Sequence, residues 1–230
     1  MIGTVDNPDL AGKVIRGVWY SREDMREVGM EVLTSARFTC KYCGFISRTS
    51  SKVPHGFMVP VDVNHSGLAA LKTSSAICLC PFCASALAIN WSVAEHKAEH
   101  GQILPVAGNL IWLPELEQKK ISLVATYTVV GVNDLDVGHE FAKTLKETDL
   151  SFRIRKPFLA NNIPLYKNDK DSDFARALSL LPTEHYQFRE EVLKGVRFWP
   201  NAPFWKVQSH YWFHSTYKPT EDQINLNMGV

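Results

Sequence analysis

Apolar and polar positions alternate along the chain in a few readable patterns. Residues 1–20 read as an irregular lead-in that ends on the apolar strip Val14, Ile15, Val18, Trp19 and Tyr20. Ser21 suits an N-cap, with Glu23 and Asp24 in the first turn. Met25, Val28, Val32 and Leu33 then recur at helical spacing. Residues 57–63 follow a strand pattern in which Pro60 points to an edge position. A turn is expected over 64–67, a short ambiguous piece over 69–72, and a helix by propensity over 84–89. Residues 109–113 form a strand pattern stopped by Pro114, which with Glu115 suits a helix start. Ile121, Val124, Ala125, Thr128, Val129 and Val132 share one helical face. Their β-branched content leaves a strand over 122–130 as the alternative. Val137, Phe141, Ala142 and Leu145 predict another helix, and Phe174, Ala177, Leu178 and Leu181 a short one. Residues 161–173 read as a loop. Thr183 suits the N-cap of a last helix bearing Phe188, Val192, Leu193 and Val196. An aromatic-rich tail follows.

These patterns predict an α+β fold in which a small ββα module sits in a mostly helical domain. The expected spans are 1–36 for a lead-in and helix, 37–92 for the module, and 93–230 for a mainly helical part packed on it as one domain. The chain has 230 residues, with 45% hydrophobic and 11% aromatic content, ample for a packed core. A formal net charge of +1 provides no strong field toward nucleic acid or an anionic membrane. The N-terminus has no basic flank followed by an apolar run, and no stretch of about 18 apolar residues occurs. A cytoplasmic location follows as the expectation.

The chemistry concentrates in two Cys-x-x-Cys hooks, Cys40/Cys43 and Cys80/Cys83, with residues 44–79 between them. Two hooks supply four thiolates, enough for a closed tetrahedral site. Gly44 follows the first hook, where a tight knuckle needs positive φ, and Pro81 lies in the second, where it suits a first helical turn. One structural Zn²⁺ on Cys40, Cys43, Cys80 and Cys83 is the expectation. Rubredoxin-type iron is the alternative, although its second hook is usually followed by glycine and Ala84 stands here. Buried or disulfide-bonded cysteines are the bland reading, and five cysteines with four in hooks favour a reducing compartment instead.

Weaker candidates surround the hooks. Cys78 lies two residues before Cys80 and reads as a small buried strand residue. His96 and His100 stand four apart on an expected helix, without a third ligand. Arg153, Arg155 and Lys156 cluster beside Phe152 and Phe158, an expected solvated patch. No glycine-rich phosphate loop and no Gly-x-Ser-x-Gly elbow occurs.

The order of hook, hairpin and hook-helix resembles treble-clef fingers and the HNH nucleases. Residues 61–65 (Val-Asp-Val-Asn-His) resemble the start of the HNH motif, with His65 as the general base. The metal-holding half departs from it. Ser75 stands where asparagine is frequent, and Ala84-Ser85-Ala86-Leu87 occupies the place of a histidine. With Leu110-Ile111-Trp112-Leu113-Pro114-Glu115-Leu116-Glu117-Gln118 after the finger, and Leu180-Leu181-Pro182 farther on, the chain resembles the IcmJ/DotN family of type IVB secretion and conjugation systems. The resemblance spans roughly 37–200. It implies a cytoplasmic, zinc-stabilised, non-catalytic adaptor, peripheral to the inner membrane through its partner. That partner would be the C-terminal segment of the type IV coupling ATPase, with other coupling-complex subunits, and the role would be substrate recruitment. An HNH-type endonuclease or nucleic-acid-binding protein is the alternative. Only the four hook cysteines carry over residue by residue.

Overall fold

The computed structural model describes residues 2–62, 75–97, 103–136, 138–166, 170–220 and 222. His65, the turn expected at 64–67, the piece at 69–72, His100 and Val137 lie outside the described residues.

The lead-in is not irregular. Helix α1 (Pro8–Ile15) begins where the Asn7 side chain accepts from the Leu10 amide at 3.0 Å and Pro8 takes the first helical position. A 3₁₀ turn (Val18–Ser21) follows, and the Ser21 hydroxyl donates back to the Val18 carbonyl at 2.7 Å. That local bond occupies Ser21, so α2 (Glu23–Ser35) starts after Arg22 without a side-chain cap. Met25, Val32 and Leu33 are buried as expected. Past α2, Arg37 and Phe38 take φ of 50° and 53°. Left-handed backbone costs a non-glycine residue about 1–2 kcal/mol, so tertiary packing must hold this reversal, which aims the chain into the first hook.

Strands β1 (Val59–Asp62) and β2 (Ala76–Leu79) pair antiparallel, with Val59 opposite Leu79 and Pro60 opposite Cys78. Helix α3 (Pro81–Leu87) and the single turn α4 (Ile89–Ser92) follow. The helix expected to carry His96 is absent. His96 lies instead in β3 (His96–Lys97), paired with β4 (Ile103–Leu104). Its Nε2 is 3.0 Å from the Trp91 carbonyl and its ring lies over Trp91, contacts that hold it at the end of α4.

Strand β5 (Gly108–Trp112) ends before Pro114 as expected. Helix α5 (Gln118–Asp134) starts later than Pro114, with Glu117 at its N-cap, and resolves the helix-or-strand ambiguity in favour of helix. Ile121, Ala125, Thr128 and Val129 are buried, whereas Val124 faces solvent. Tertiary packing of that stripe outweighs the β-branched propensity. Helix α6 (Glu140–Arg153) buries Ala142 and Leu145. Helices α7 (Phe158–Asn162) and α8 (Asp171–Ser179) shorten the expected loop at both ends.

The expected last helix is broken. Two single turns, α9 (Thr183–Tyr186) and α10 (Arg189–Val192), precede strand β6 (Val196–Pro200). Pro182, not Thr183, sits at the α9 cap position. β6 pairs antiparallel with β5, Gly108 opposite Pro200 and Trp112 opposite Val196. The tail continues through a 3₁₀ turn (Ala202–Trp205), α11 (Lys206–Trp212) and one π-turn (Phe213–Tyr217). The architecture is α+β, mostly helical with three two-stranded antiparallel sheets among the described residues.

One buried cluster joins Trp19, Phe82, Trp199, Trp205 and Trp212 beneath the hooks. A second joins Leu110, Leu159, Phe174, Leu193 and Phe198. The tail tryptophans are interior, since Trp199, Trp205 and Trp212 expose no surface. No helix among the described residues is long and apolar enough to cross a membrane.

Candidate metal centre

The first hook is a knuckle closed by backbone bonds. The Cys40 amide donates to the Phe45 carbonyl at 2.8 Å and the Gly44 amide to the Cys40 carbonyl at 3.0 Å. Gly44 takes φ of +78°, the conformation that favours glycine here. An isolated bridge between Thr39 and Ile46 closes the loop behind it. The second hook is the first turn of α3. Cys80 is the N-cap residue, Pro81 follows it, and the Cys80 Sγ accepts from the Cys83 amide at 3.4 Å. The Lys41 amide donates to the Cys78 carbonyl at 2.8 Å, which ties the first hook to the strand that delivers the second.

The result is convergence. The Sγ atoms of Cys40, Cys43, Cys80 and Cys83 all lie within 4.8 Å of one another, and Cys43 and Cys80 are 3.6 Å apart. Four sulfurs bound tetrahedrally at about 2.3 Å from one ion stand about 3.8 Å from each other. A disulfide needs about 2.05 Å, and all five cysteines are free thiols. The donor set and spacing therefore fit a metal ion. Cys40, Cys80 and Cys83 are buried and Cys43 is half-buried.

Electrostatics point the same way. Hydrogen bonds from Cys43, Cys80 and Cys83 push the Cys40 thiol far down. Burial pushes Cys80 up. Hydrogen bonding to Cys40 and Cys43 pushes Cys83 up. Without a cation, burial and mutual contact work against ionising Cys80 and Cys83. A dication removes that conflict by stabilising all four charges at once. Tyr42, inside the first hook, is raised by its own burial and by the Cys83 and Cys40 charges.

The other candidates separate from this centre. Cys78 is 2% exposed, lies outside the four-sulfur group, and is raised by burial. Ser75 donates to the Asp62 carboxylate at 2.7 Å across the β1–β2 pair. Ala84 is buried inside α3. The basic cluster is neutralised in place: Arg153 pairs with Asp149 at 3.5 Å, Arg155 with Glu115 at 3.8 Å and Lys156 with Asp171 at 3.2 Å.

An aromatic roof over α3 was not foreseen from sequence. Phe82 meets Trp205 and Trp212 edge-on at 5.2 and 5.7 Å between ring centres, and Trp212 meets Phe45 beside the first hook at 5.0 Å. The run of tail aromatics was its only sequence signal. No protein-family model and no curated protein matches the chain.

Proposed function

We propose that the chain is a zinc-stabilised, non-catalytic adaptor whose four hook cysteines hold one structural Zn²⁺. The observation that carries this reading is the convergence of four thiols within 4.8 Å, because four thiolates close a tetrahedral site and leave no position for substrate or water. The knuckle, the β1–β2 pair and the helix starting at the second hook follow treble-clef and HNH order, which supports a finger of that type. The neighbourhood supports a finger without nuclease chemistry. Ser75 is engaged by Asp62, and Ala84 packs in the core where an HNH enzyme places a metal-holding histidine.

The resemblance to the IcmJ/DotN family specifies the adaptor further. The partner is the C-terminal segment of a type IV coupling ATPase, the setting cytoplasmic, and the task substrate recruitment. Exposed apolar side chains are what an adaptor needs, and Leu150, Ile154 and Phe158 stand four apart at 58%, 60% and 50% exposure along α6 and into α7. The test combines metal analysis, cleavage and binding on one preparation. One zinc per chain, no plasmid nicking in Mg²⁺ or Mn²⁺, and co-elution with the coupling-ATPase tail at micromolar concentration are expected. Nicking abolished by His65→Ala would establish the HNH reading instead, and failure to co-elute would remove the partner.

A further inference from the structure

A second cluster of metal-ligating side chains lies where the end of α5 meets α11. His210 and His214 are four residues apart, the first on α11 and the second in the π-turn that prolongs it. Their rings are edge-to-face with centres 4.6 Å apart. Two imidazoles bound to one ion at about 2.0–2.1 Å per nitrogen, at angles between square and tetrahedral, hold their ring centres about 4.5–5.2 Å apart. The observed separation falls in that window. Isolated π-turns inside helices also recur at functional sites.

Asp134 adds an independent observation. It is the last residue of α5, its side chain is 6% exposed, and its Oδ1 is 3.0 Å from His210 Nδ1. A carboxylate only accepts, so this contact calls for the tautomer with the proton on Nδ1, which leaves the Nε2 lone pair of His210 for another partner. The other carboxylate oxygen, Oδ2, is buried and has no hydrogen-bond partner. A buried acid with one unsatisfied oxygen gains when positive charge builds on the imidazole it holds. Carboxylate behind histidine is also the arrangement that fixes the ring and raises its basicity at metal sites. The His210 side chain is 66% exposed, so an ion has access from solvent.

We propose that His210 and His214 form an open two-histidine site for a first-row transition dication of the Ni²⁺, Cu²⁺ or Zn²⁺ class, with Asp134 as its positioning residue. Imidazole nitrogens select these ions over Mg²⁺ and Ca²⁺. The remaining coordination positions belong to water or to a ligand from a partner. This site is independent of the cysteine centre and stands or falls separately from it.

The experiment is calorimetric titration of the untagged, zinc-loaded protein with Ni²⁺, followed by absorption spectra. One Ni²⁺ per chain is expected, without the strong thiolate-to-nickel bands that displacement at the cysteines would produce. His210→Gln and His214→Gln should each weaken binding at least tenfold. Asp134→Asn should weaken it about 10- to 100-fold while far-UV circular dichroism is unchanged. Both histidines are exposed, the same spectra check that each variant folds, and His214→Gln leaves the His210–Asp134 contact in place. No uptake, uptake undiminished in the His210→Gln/His214→Gln double variant, or uptake accompanied by thiolate bands would each overturn the proposal.

Discussion

Asp171 is a buried acid on which the packing of the C-terminal half depends. It is 5% exposed at the start of α8 and accepts from three elements at once. The Leu110 amide on β5 donates to it at 2.9 Å, Lys156 Nζ at 3.2 Å, and the Tyr166 hydroxyl also donates. Leu110 exposes nothing and Tyr166 only 3%, so Asp171→Ala removes the shared acceptor of two donors held away from water. Each stranded donor costs about 1–3 kcal/mol. Lys156 is 36% exposed and rehydrates, which adds little. The sum is at most about 2–6 kcal/mol, a large share of the roughly 5–15 kcal/mol that holds a typical domain together. At about 2–4 °C per kcal/mol for a chain of this size, the melting temperature should fall by about 10 °C. Asp171→Asn keeps one carbonyl acceptor and should lose about half as much. Urea denaturation of the zinc-loaded protein measures both. A loss below about 1 kcal/mol for Asp171→Ala would show that neither donor depends on it, and the reasoning would fail.

Three further outcomes follow from other regions. On the proposed zinc reading, Cys83→Ser or Cys40→Ser should abolish metal binding and lower the melting temperature steeply, whereas Cys78→Ala should keep one metal ion per chain and cost about 1 kcal/mol; elemental analysis with thermal melts distinguishes them. His55 is held neutral by burial, its pKa lowered to about 4, with its Nδ1 accepting from the Phe57 amide. The unfolded chain takes up that proton near pH 6.5 and the folded chain only near 4, so stability is full above pH 6.5 and declines as pH falls toward 4. The full effect is at most about 3 kcal/mol, and the difference in urea stability between pH 7 and pH 5 should shrink in His55→Gln. Gly108→Ala would set a Cβ 2.5 Å from the Trp199 carbonyl and 2.3 Å from the Phe198 ring. A backbone oxygen cannot step aside cheaply, so denaturant midpoints should show a loss of about 2–3 kcal/mol.

The four-cysteine cluster was legible because both hooks are local. Gly44 and Pro81 announce a knuckle and a helix start within four residues of each cysteine, and the fold needs only to bring the two hooks together. Strand β1 and helix α2 were legible for the same reason. Helix α1 was missed although Asn7-Pro8-Asp9 is a start signal, because its apolar positions merge with those of the next turn. β6 was missed for a different reason. Phe188, Val192 and Val196 keep a four-residue spacing that imitates a helix, and the partner that makes 196–200 a strand lies at 108–112. The loss of the His96 helix likewise depends on contacts with Trp91 that no spacing announces. The His210–Asp134 contact joins two helix ends and has no sequence signature at all.

The pairing of β5 with β6 also sets an order of events during synthesis. Residues 113–195 intervene between the two strands. Closing a flexible loop of that length costs about 4 kcal/mol in chain entropy beyond a constant term. Five ladder pairs are a small return on that closure, so α5 and α6 must first draw the ends together. A nascent chain halted before residue 196 lacks β6 and also the Trp205–Trp212 roof over α3. Its four hook cysteines have all emerged by then, so a metal ion can reach them before residues 205–212 do. The cluster is then a site open to a metal ion early and sealed late, once residues 205–212 leave the ribosome.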